Sequence, residues 1–390
     1  MDFELFNTYS NKTELFIPLD DNDIRIYACG PTVYDYIHVG NARPLIIFDV
    51  LVRFLKLIYP KVTYVRNITD VDDKIIVQAN QNKESINNLT ERTIKAFSDD
   101  ADALFVKKPD FEPRATEHIQ EMLKMIKVLL ENGNAYLSDG HVLFSVSSMP
   151  NYGKLSGMNL SEMIDGARVE VSDYKKEPAD FVLWKPSKTG ELGWHSDFGF
   201  GRPGWHIECS AMSEKYLGKQ FDIHAGGLDL IFPHHENEIA QSCCAFNTEF
   251  MAKYWMHNGY ITVNNEKMSK SEGNFITVRD ALQKQDGETI RYSILSGHYR
   301  SPIDFSFKAL KEAKSALDRL YRASENFEHD NVIDEEFLSC LSNDLNSPQA
   351  ISRLHELASE YNKGNENAGC LLYTSPSPRD QRGSRMPSSA

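Results

Sequence analysis

The sequence predicts the α/β class: an open, Rossmann-like parallel sheet, interrupted by an inserted domain and followed by a partial α-helical bundle. Three observations carry that reading. A strand-like run, Ile24–Ala28 (IRIYA), passes through a turn opened by Gly30 and Pro31 into Pro44–Tyr59, an apolar-rich segment that reads as a helix. A second strand-like run, Phe221–His224, enters a Gly226–Gly227 turn and then a helix containing His234–Glu238 (HHENE). Later, Phe307–Ser324 and Pro348–Tyr361 place their apolar residues on one helical face.

Taken in order, the first half of the sheet domain is expected over residues 1–115. Glu117–Asn132 is helical by the spacing of Ile119, Met122, Leu123, Ile126 and Leu130. It lies in an insertion over 116–200, whose Tyr136–Ser145, Trp184 and Trp194 segments read as short strands. The second half of the sheet domain spans 201–260, and 261–306 connects it to the helices of 307–369. From about Cys370 the segment CLLYTSPSPRDQRGSRMPSSA is rich in Ser, Pro and Arg and has no helical period. Such a composition cannot bury a core, so 370–390 is expected to be a disordered, non-native tail.

The chain has 390 residues, 41% hydrophobic and 25% charged, which is the profile of an ordinary soluble protein of two or three domains. No apolar run approaches the ~20 residues of a membrane span. Met1–Asn11 has the character of neither a secretory signal nor an arginine-rich transit peptide, so a cytoplasmic protein is expected. Six scattered cysteines do not suggest a disulfide framework and suit a reducing compartment. The net charge of −14 argues against broad nucleic-acid binding, yet a local basic face can still act within it.

Two short motifs then stand out, Ile37–Arg43 (IHVGNAR) and Lys267–Ser271 (KMSKS). His38 and Asn41 sit where a strand hands over to a helix N-terminus, where free backbone N–H groups and the helix dipole favour an anion. Gly40 leaves room for a flat group against the backbone. The second motif sets Lys267 and Lys270 among serines in a short loop, with Gly273 and Asn274 marking the turn beyond; such a loop can close over a polyphosphate. A lone HVGN is usually an ordinary turn and a lone Lys-Ser loop an ordinary surface. Together, in this order, they describe two halves of one phosphate site.

A metal reading rests on four residues. Four positions along a helix rotate about 400°, so His234 and Glu238 share a face, whereas His235 has Ile239 at that spacing. The string is not HExxH, so no zinc-protease site is indicated. Cys209 follows Trp205 and His206, and Cys29 ends the first strand, where open parallel sheets gather ligands. A buried cysteine is also a common small apolar side chain, and a helical His–Glu pair a common surface ion pair. Spacing alone therefore leaves zinc as one of several readings.

The motifs resemble those of the class I aminoacyl-tRNA synthetases, and the wording is similar to the cysteinyl-tRNA synthetase family. The matching stretches are Cys29–Pro44 (CGPTVYDYIHVGNARP), Asn67–Ile75 (NITDVDDKI), Arg202–Ser213 (RPGWHIECSAMS), Asp222–Ser242 and Asn265–Asn274 (NEKMSKSEGN). The resemblance covers roughly residues 2 to 368, and Asn41 in place of a second His is usual for the cysteine enzymes. It implies ATP-dependent activation of cysteine to cysteinyl-adenylate and transfer to the terminal adenosine of tRNA(Cys), with Mg²⁺ accompanying ATP. His38 and Asn41 would stabilise the phosphates with Gly40 beside them, and Lys270 would contact departing pyrophosphate with Lys267 assisting. Gly227 and Asp229 would hold the ribose, while Gly30, Thr69, Trp205 and His224 would wall the amino-acid pocket.

The family's zinc ligands fall on Cys29, Cys209, His234 and Glu238, one zinc per chain. A zinc that accepts the substrate thiolate would separate cysteine from serine, which shape alone does by only ~10–200-fold. Four protein ligands ordinarily close a zinc site, so coordination is expected to expand, or Glu238 to loosen, when cysteine binds. The resemblance also implies a monomer, a stem-contact region at 261–306 and an anticodon-binding role for 307–369, truncated here. Two alternatives stay open at this point: a zinc-dependent cysteine:amino-sugar ligase of the mycothiol pathway, and a non-catalytic nucleotide- or tRNA-binding paralogue.

Overall fold

The computed structural model describes residues 1–158, 172–188, 190–263, 266–268, 275–323 and 333–374. The chain opens with an antiparallel hairpin, β1 (Glu4–Asn7) and β2 (Lys12–Leu15), followed by β3 (Ile24–Ala28), α1 (Val39–Ile58), β4 (Val62–Arg66), α2 (Asp73–Asn82), α3 (Ile86–Ala103) and α4 (Ile119–Glu131). An antiparallel sheet comes next, made of β5 (Ala135–Ser138), β6 (His141–Phe144), β7 (Phe181–Pro186) and β8 (Gly201–Pro203). Helix α5 (Trp205–Leu217) leads to β9 (Phe221–Gly227), and α6 (Glu236–Phe246) to β10 (Ala252–Asn258). A small sheet and two helices follow: β11 (Ile261–Val263), β12 (Glu266–Lys267), α7 (Val278–Leu282), α8 (Gly287–Leu295) and β13 (Ile303–Asp304). Helices α9 (Phe307–Ala323), α10 (Glu335–Ser342), α11 (Ser347–Asn362) and α12 (Glu366–Thr374) complete the described chain.

The central sheet has the order β10–β9–β3–β4, and every pairing in it is parallel. Its strands are buried almost throughout, as parallel strands covered on both faces must be. From β3 the chain crosses to β4 on one side; from β9 it crosses to β10 on the other. The strand order therefore reverses between β3 and β9, and a crevice opens beyond their C-terminal ends. The expected interruption is the antiparallel sheet, which enters the chain between β4 and β9.

Helix α1 starts earlier than the sequence suggested. Pro44 was expected at its beginning, because proline removes an N–H and restricts the residue before it. Instead His38 is the N-cap and Asn41 the third residue of a reciprocal capping box, so the helix begins at Val39 and carries Pro44 inside. Val39, Ala42, Leu45 and Ile46 pack into one core with α3, α7 and α8, while Ile47, Phe48, Leu51 and Leu55 pack into another with β3, β4 and α10. One helix thus joins two cores.

Three further expectations shift at their edges. Trp194 forms a single bridge to Gly201 rather than a strand. The strand begun at Phe221 runs on through both glycines to Gly227. The last helix reaches Thr374, past the boundary expected at Cys370, because Leu372 and Ala368 bury against Leu320 and Leu357. Residues 375–390 of the expected tail lie outside the described residues. Among the described residues no helix is long and apolar enough to cross a membrane.

A buried charge cluster fastens α1 to its neighbours. The Asp49 carboxylate accepts hydrogen bonds from Arg53 Nε at 2.8 Å, Arg291 Nη2 at 2.5 Å and the Lys107 N–H at 2.9 Å. Asp49 and Arg291 are both buried, so removing the carboxylate strands a cation in the interior. Asp49→Ala is expected to lower unfolding stability by about 3–5 kcal/mol. Asp99→Ala, which breaks an exposed i,i+4 pair with Lys95, should cost under about 1 kcal/mol. Urea midpoints of the two variants measure the contrast, and equal midpoints would remove the assigned role of Asp49.

Candidate active site and metal centre

The crevice between β3 and β9 holds a cavity of about 390 Å³. Cys29, Gly30, His38, Gly40, Asn41, Trp205, Gly227 and Asp229 all line it, together with Tyr260 and Met268. Gly30 follows β3 so closely against β4 that a Cβ there would lie 1.6 Å from the Asn67 carbonyl oxygen. Its N–H donates to Asn67 Oδ1 at 2.8 Å. The close approach keeps the chain open where the cavity begins.

At the first turn of α1, His38 Nδ1 accepts from the Asn41 N–H at 3.2 Å, and Asn41 Oδ1 accepts from the His38 N–H at 3.3 Å. The two residues hold each other at a helix N-terminus, where the dipole favours negative charge. The neutral His38 ring therefore carries its proton on Nε2. Gly40, on the cavity wall, also has a local reason: a Cβ would sit 2.8 Å from the His38 ring and 3.1 Å from Met268 Cε. Glycine is needed so that the capping imidazole can fold back over the turn.

The chain around the second motif comes to the same place. Val39 N–H donates to the Ile276 carbonyl and Val278 N–H to the Ile37 carbonyl, each at 3.0 Å. Lys267 ends β12, opposite Thr262 of β11. Lys270, Ser271, Gly273 and Asn274 lie outside the described residues, and of Lys267 only the backbone is described.

The four residues read as metal ligands converge. Cys29 Sγ lies 3.7 Å from Cys209 Sγ, 3.5 Å from His234 Nε2 and 3.4 Å from Glu238 Oε1. His234 Nε2 and Glu238 Oε1 are 2.9 Å apart, as the shared helical face requires. A tetrahedral zinc with bonds of about 2.3 Å to sulfur and 2.0–2.1 Å to nitrogen separates two sulfurs by about 3.8 Å and sulfur from nitrogen by about 3.6 Å. The thiol edges match that tetrahedron, and 3.7 Å is far too long for a disulfide. A second grouping of Cys29, His224, His235 and Glu238 is also compact. It contains one thiol, and its His224 Nε2 is already bonded to Glu238 Oε2 at 2.8 Å.

The electrostatics fit a cation as well. Burial alone would raise the Glu238 pKa, yet the His224 and His234 charges and hydrogen bonds hold it well below the usual carboxylate range. Burial also opposes ionisation of Cys209, but hydrogen bonds from Cys29 and His234 bring its pKa down to about 6. Cys29 is pushed well up, first by burial and then by the hydrogen bond and charge of Cys209. The His234 imidazole is raised to about 10: burial works against it, and the Glu238 charge and Cys209 outweigh that. A carboxylate and a thiolate in a buried site require positive charge beside them, which the His234 imidazolium supplies and which a metal bound to the same donors would replace.

The remaining predicted pocket residues divide. Trp205 stacks on His234 with ring centres 4.1 Å apart and also walls a second cavity of about 250 Å³, bounded by Lys185, Arg202 and Glu208. Thr69 and His224 are not among the residues lining either cavity. Thr69 Oγ1 accepts from Asn67 Nδ2 at 3.2 Å and donates to Glu208 Oε2 at 3.1 Å. His224 supports Glu238 and stacks on Trp255 at 4.5 Å.

Sequence reasoning missed the groups that hold these in place. His235 lacks an i+4 partner but finds one on β10, His257, at 2.8 Å, and His257 in turn contacts Thr8 Oγ1. Asp73 pairs with Lys185 and Arg202, tying α2 to the inserted sheet. The only signal for such contacts lay in the motif stretches themselves, whose remaining polar residues had no assigned work.

Comparison with known proteins agrees with this geometry. A family model described as the tRNA synthetases class I (C) catalytic domain matches residues 15–315, and a DALR domain model matches residues 336–379. A cysteine–tRNA ligase of Rhodospirillum centenum is 55% identical over 370 residues, covering 94% of this chain and 81% of that protein. One from Gluconobacter oxydans is 53% identical over 370 residues, covering 94% and 82%. Among solved structures, the methionyl-tRNA synthetase of Mycobacterium tuberculosis in complex with methionyl-adenylate aligns with a TM-score of 0.63 at 14% identity, covering 91% of this chain and 88% of that one. A putative arginyl-tRNA synthetase from Campylobacter jejuni gives 0.59 at 12%, covering 90% and 89%. These two structures speak for the fold alone. With a catalytic-domain model matched over well more than half its length and relatives this similar, the chain belongs to the cysteine–tRNA ligase family of class I tRNA synthetases.

Proposed function

We propose that this chain activates cysteine with ATP and passes the cysteinyl group to the terminal adenosine of tRNA(Cys). A cysteine carboxylate oxygen attacks the α-phosphorus of ATP, and pyrophosphate leaves. A ribose hydroxyl of the tRNA then attacks the activated carbonyl, and AMP leaves. Chemistry of this kind depends on positioning and charge stabilisation rather than on a protein nucleophile. The observation that carries the reading is that Cys29 belongs at once to the four-donor cluster and to the wall of the cavity that His38, Asn41 and Asp229 share.

Cys29, Cys209, His234 and Glu238 would hold zinc, which when bound supplies a soft Lewis acid for a substrate thiolate. Trp205, on the same cavity wall and stacked on His234, would pack against the amino acid. His38 and Asn41 would orient the phosphates at the start of α1, with Lys267 and Lys270 drawing off the charge of the departing pyrophosphate. Gly227 and Asp229 suit a ribose at the far wall, and Mg²⁺ accompanies ATP. Gly30 fixes the turn beside Cys29, while Thr69 and His224 act from behind, through Glu208 and Glu238. For tRNA, exposed Lys308, Lys311, Arg319 and Arg322 give α9 a basic face on an otherwise acidic chain.

ATP–pyrophosphate exchange with cysteine and with serine tests the reading. Cysteine should be preferred well beyond the ~10–200-fold limit of a purely steric pocket; comparable rates with serine would end it. Cys209→Ser should lose bound zinc, measured by elemental analysis, and cysteine-dependent exchange together. A variant that keeps its exchange without metal would contradict the assignment. Lys270→Ala should lower kcat for exchange by about 10²-fold at unchanged zinc content, and normal exchange in that variant would remove its role.

A further inference from the structure

Arg43 closes the first motif and takes no part in the chemistry above. Its side chain is wholly buried, and among the described residues it forms no ion pair with a carboxylate. Its guanidinium donates instead to main-chain carbonyls: Nη1 to Tyr260 at 2.7 Å, and Nη2 to His298 at 3.1 Å, Tyr299 at 3.0 Å and Ser301 at 2.6 Å. Nε has no acceptor. Burial pushes the pKa down to about 10, so the charge is kept in the interior at a cost.

What the fork grips is specific. Tyr260 directly precedes β11, and His298–Ser301 lead into β13. β11 pairs with β13 on one side and with β12 on the other, where Thr262 faces Lys267. The junction is tight, since a Cβ on Gly259 would meet the carbonyls of Arg300 and Ser301 at 2.7 Å. A single side chain on the first turns of α1 thus holds the roots of the small sheet whose outer strand ends at Lys267. The flank of the second motif beyond it, Ile276–Val278, is joined to Ile37 and Val39 by main-chain hydrogen bonds.

We propose that Arg43 is a positioning residue for the activation step: it sets the small sheet carrying Lys267 against the α1 turn carrying His38 and Asn41. This rests on the reading that Lys267 serves the departing pyrophosphate. A guanidinium suits the task because its planar fork can serve several carbonyls at once, which an ammonium on a flexible stem does less well.

The test is a cycle of ATP–pyrophosphate exchange on the wild type, Arg43→Gln, Lys267→Ala and the double variant, with Arg43→Lys as the conservative change. Arg43→Gln should lower kcat by about 10²-fold, the scale of a 1 Å misplacement, with KM for cysteine and zinc content unchanged. Arg43→Lys should recover part of that loss. In the double variant the losses should fall short of their product, because Arg43 acts through Lys267. Losses that multiply, or a folded Arg43→Gln with normal kcat, would overturn the proposal. Where Arg43→Gln does not fold, the same cycle with Arg43→Lys decides it on the same criterion. A wild type without cysteine-dependent exchange would instead sink the activity reading and this inference with it.

Discussion

Everything in the site depends on two neighbouring parallel strands from which the chain departs in opposite directions. β3 turns away toward β4 and β9 toward β10, so nothing crosses the gap between their C-terminal ends. Cys29 and Gly30 stand at the end of one strand, and Gly227 and Asp229 at the end of the other. Helix α5 packs behind β3 and β4 and brings Trp205 and Cys209 to the same opening. A whole inserted sheet separates Cys29 from Cys209 along the chain, yet their sulfurs lie 3.7 Å apart. The reversal of strand order is what makes that meeting possible.

The buried cluster is held with little freedom. Glu238 is wholly enclosed, with one oxygen on His224 and the other on His234. Those rings are braced in turn: His224 by Trp255, His234 by Trp205 and by His206, whose Nδ1 lies 2.9 Å from His234 Nδ1. Aromatic faces fix ring orientation without adding charge. The separations from the Cys29 thiol already approximate a tetrahedron, whereas the His234–Glu238 contact at 2.9 Å would have to open for a cation to enter.

Legibility in the sequence followed the range of the interactions. Ile24–Ala28 was readable to the residue, because a buried parallel strand is an unbroken apolar run ended by glycine and proline. His234 and Glu238 were readable because four residues on a helix are a local relation. The start of α1 was not, because proline's preference for a helix beginning yields to a side-chain capping box five residues earlier. Gly40 was readable as a place of close approach, but its second neighbour, the imidazole two residues before it, was not. Thr69 and His224 were expected on the pocket wall, but they lie behind it, against Glu208 and Glu238, a distinction that only tertiary packing makes. Arg43 was invisible for the same reason, since its acceptors are carbonyls more than two hundred residues away.

The fold holds the buried donor cluster and the second motif in different ways. The donors of the buried cluster are seated within the core: Cys29 just past the end of β3, Cys209 on α5, His234 just before α6 and Glu238 on it. The second motif lies between anchored ends: β11 and β13 at its root, where Arg43 binds, and the Ile276–Val278 segment bonded to Ile37 and Val39 beyond it. Fixing both ends to the chain around His38 and Asn41 keeps the two motifs in register. A single helix, packed into two cores and capped by its own first motif, thereby ties the sheet that ends at Cys29 to the segment that carries the second motif.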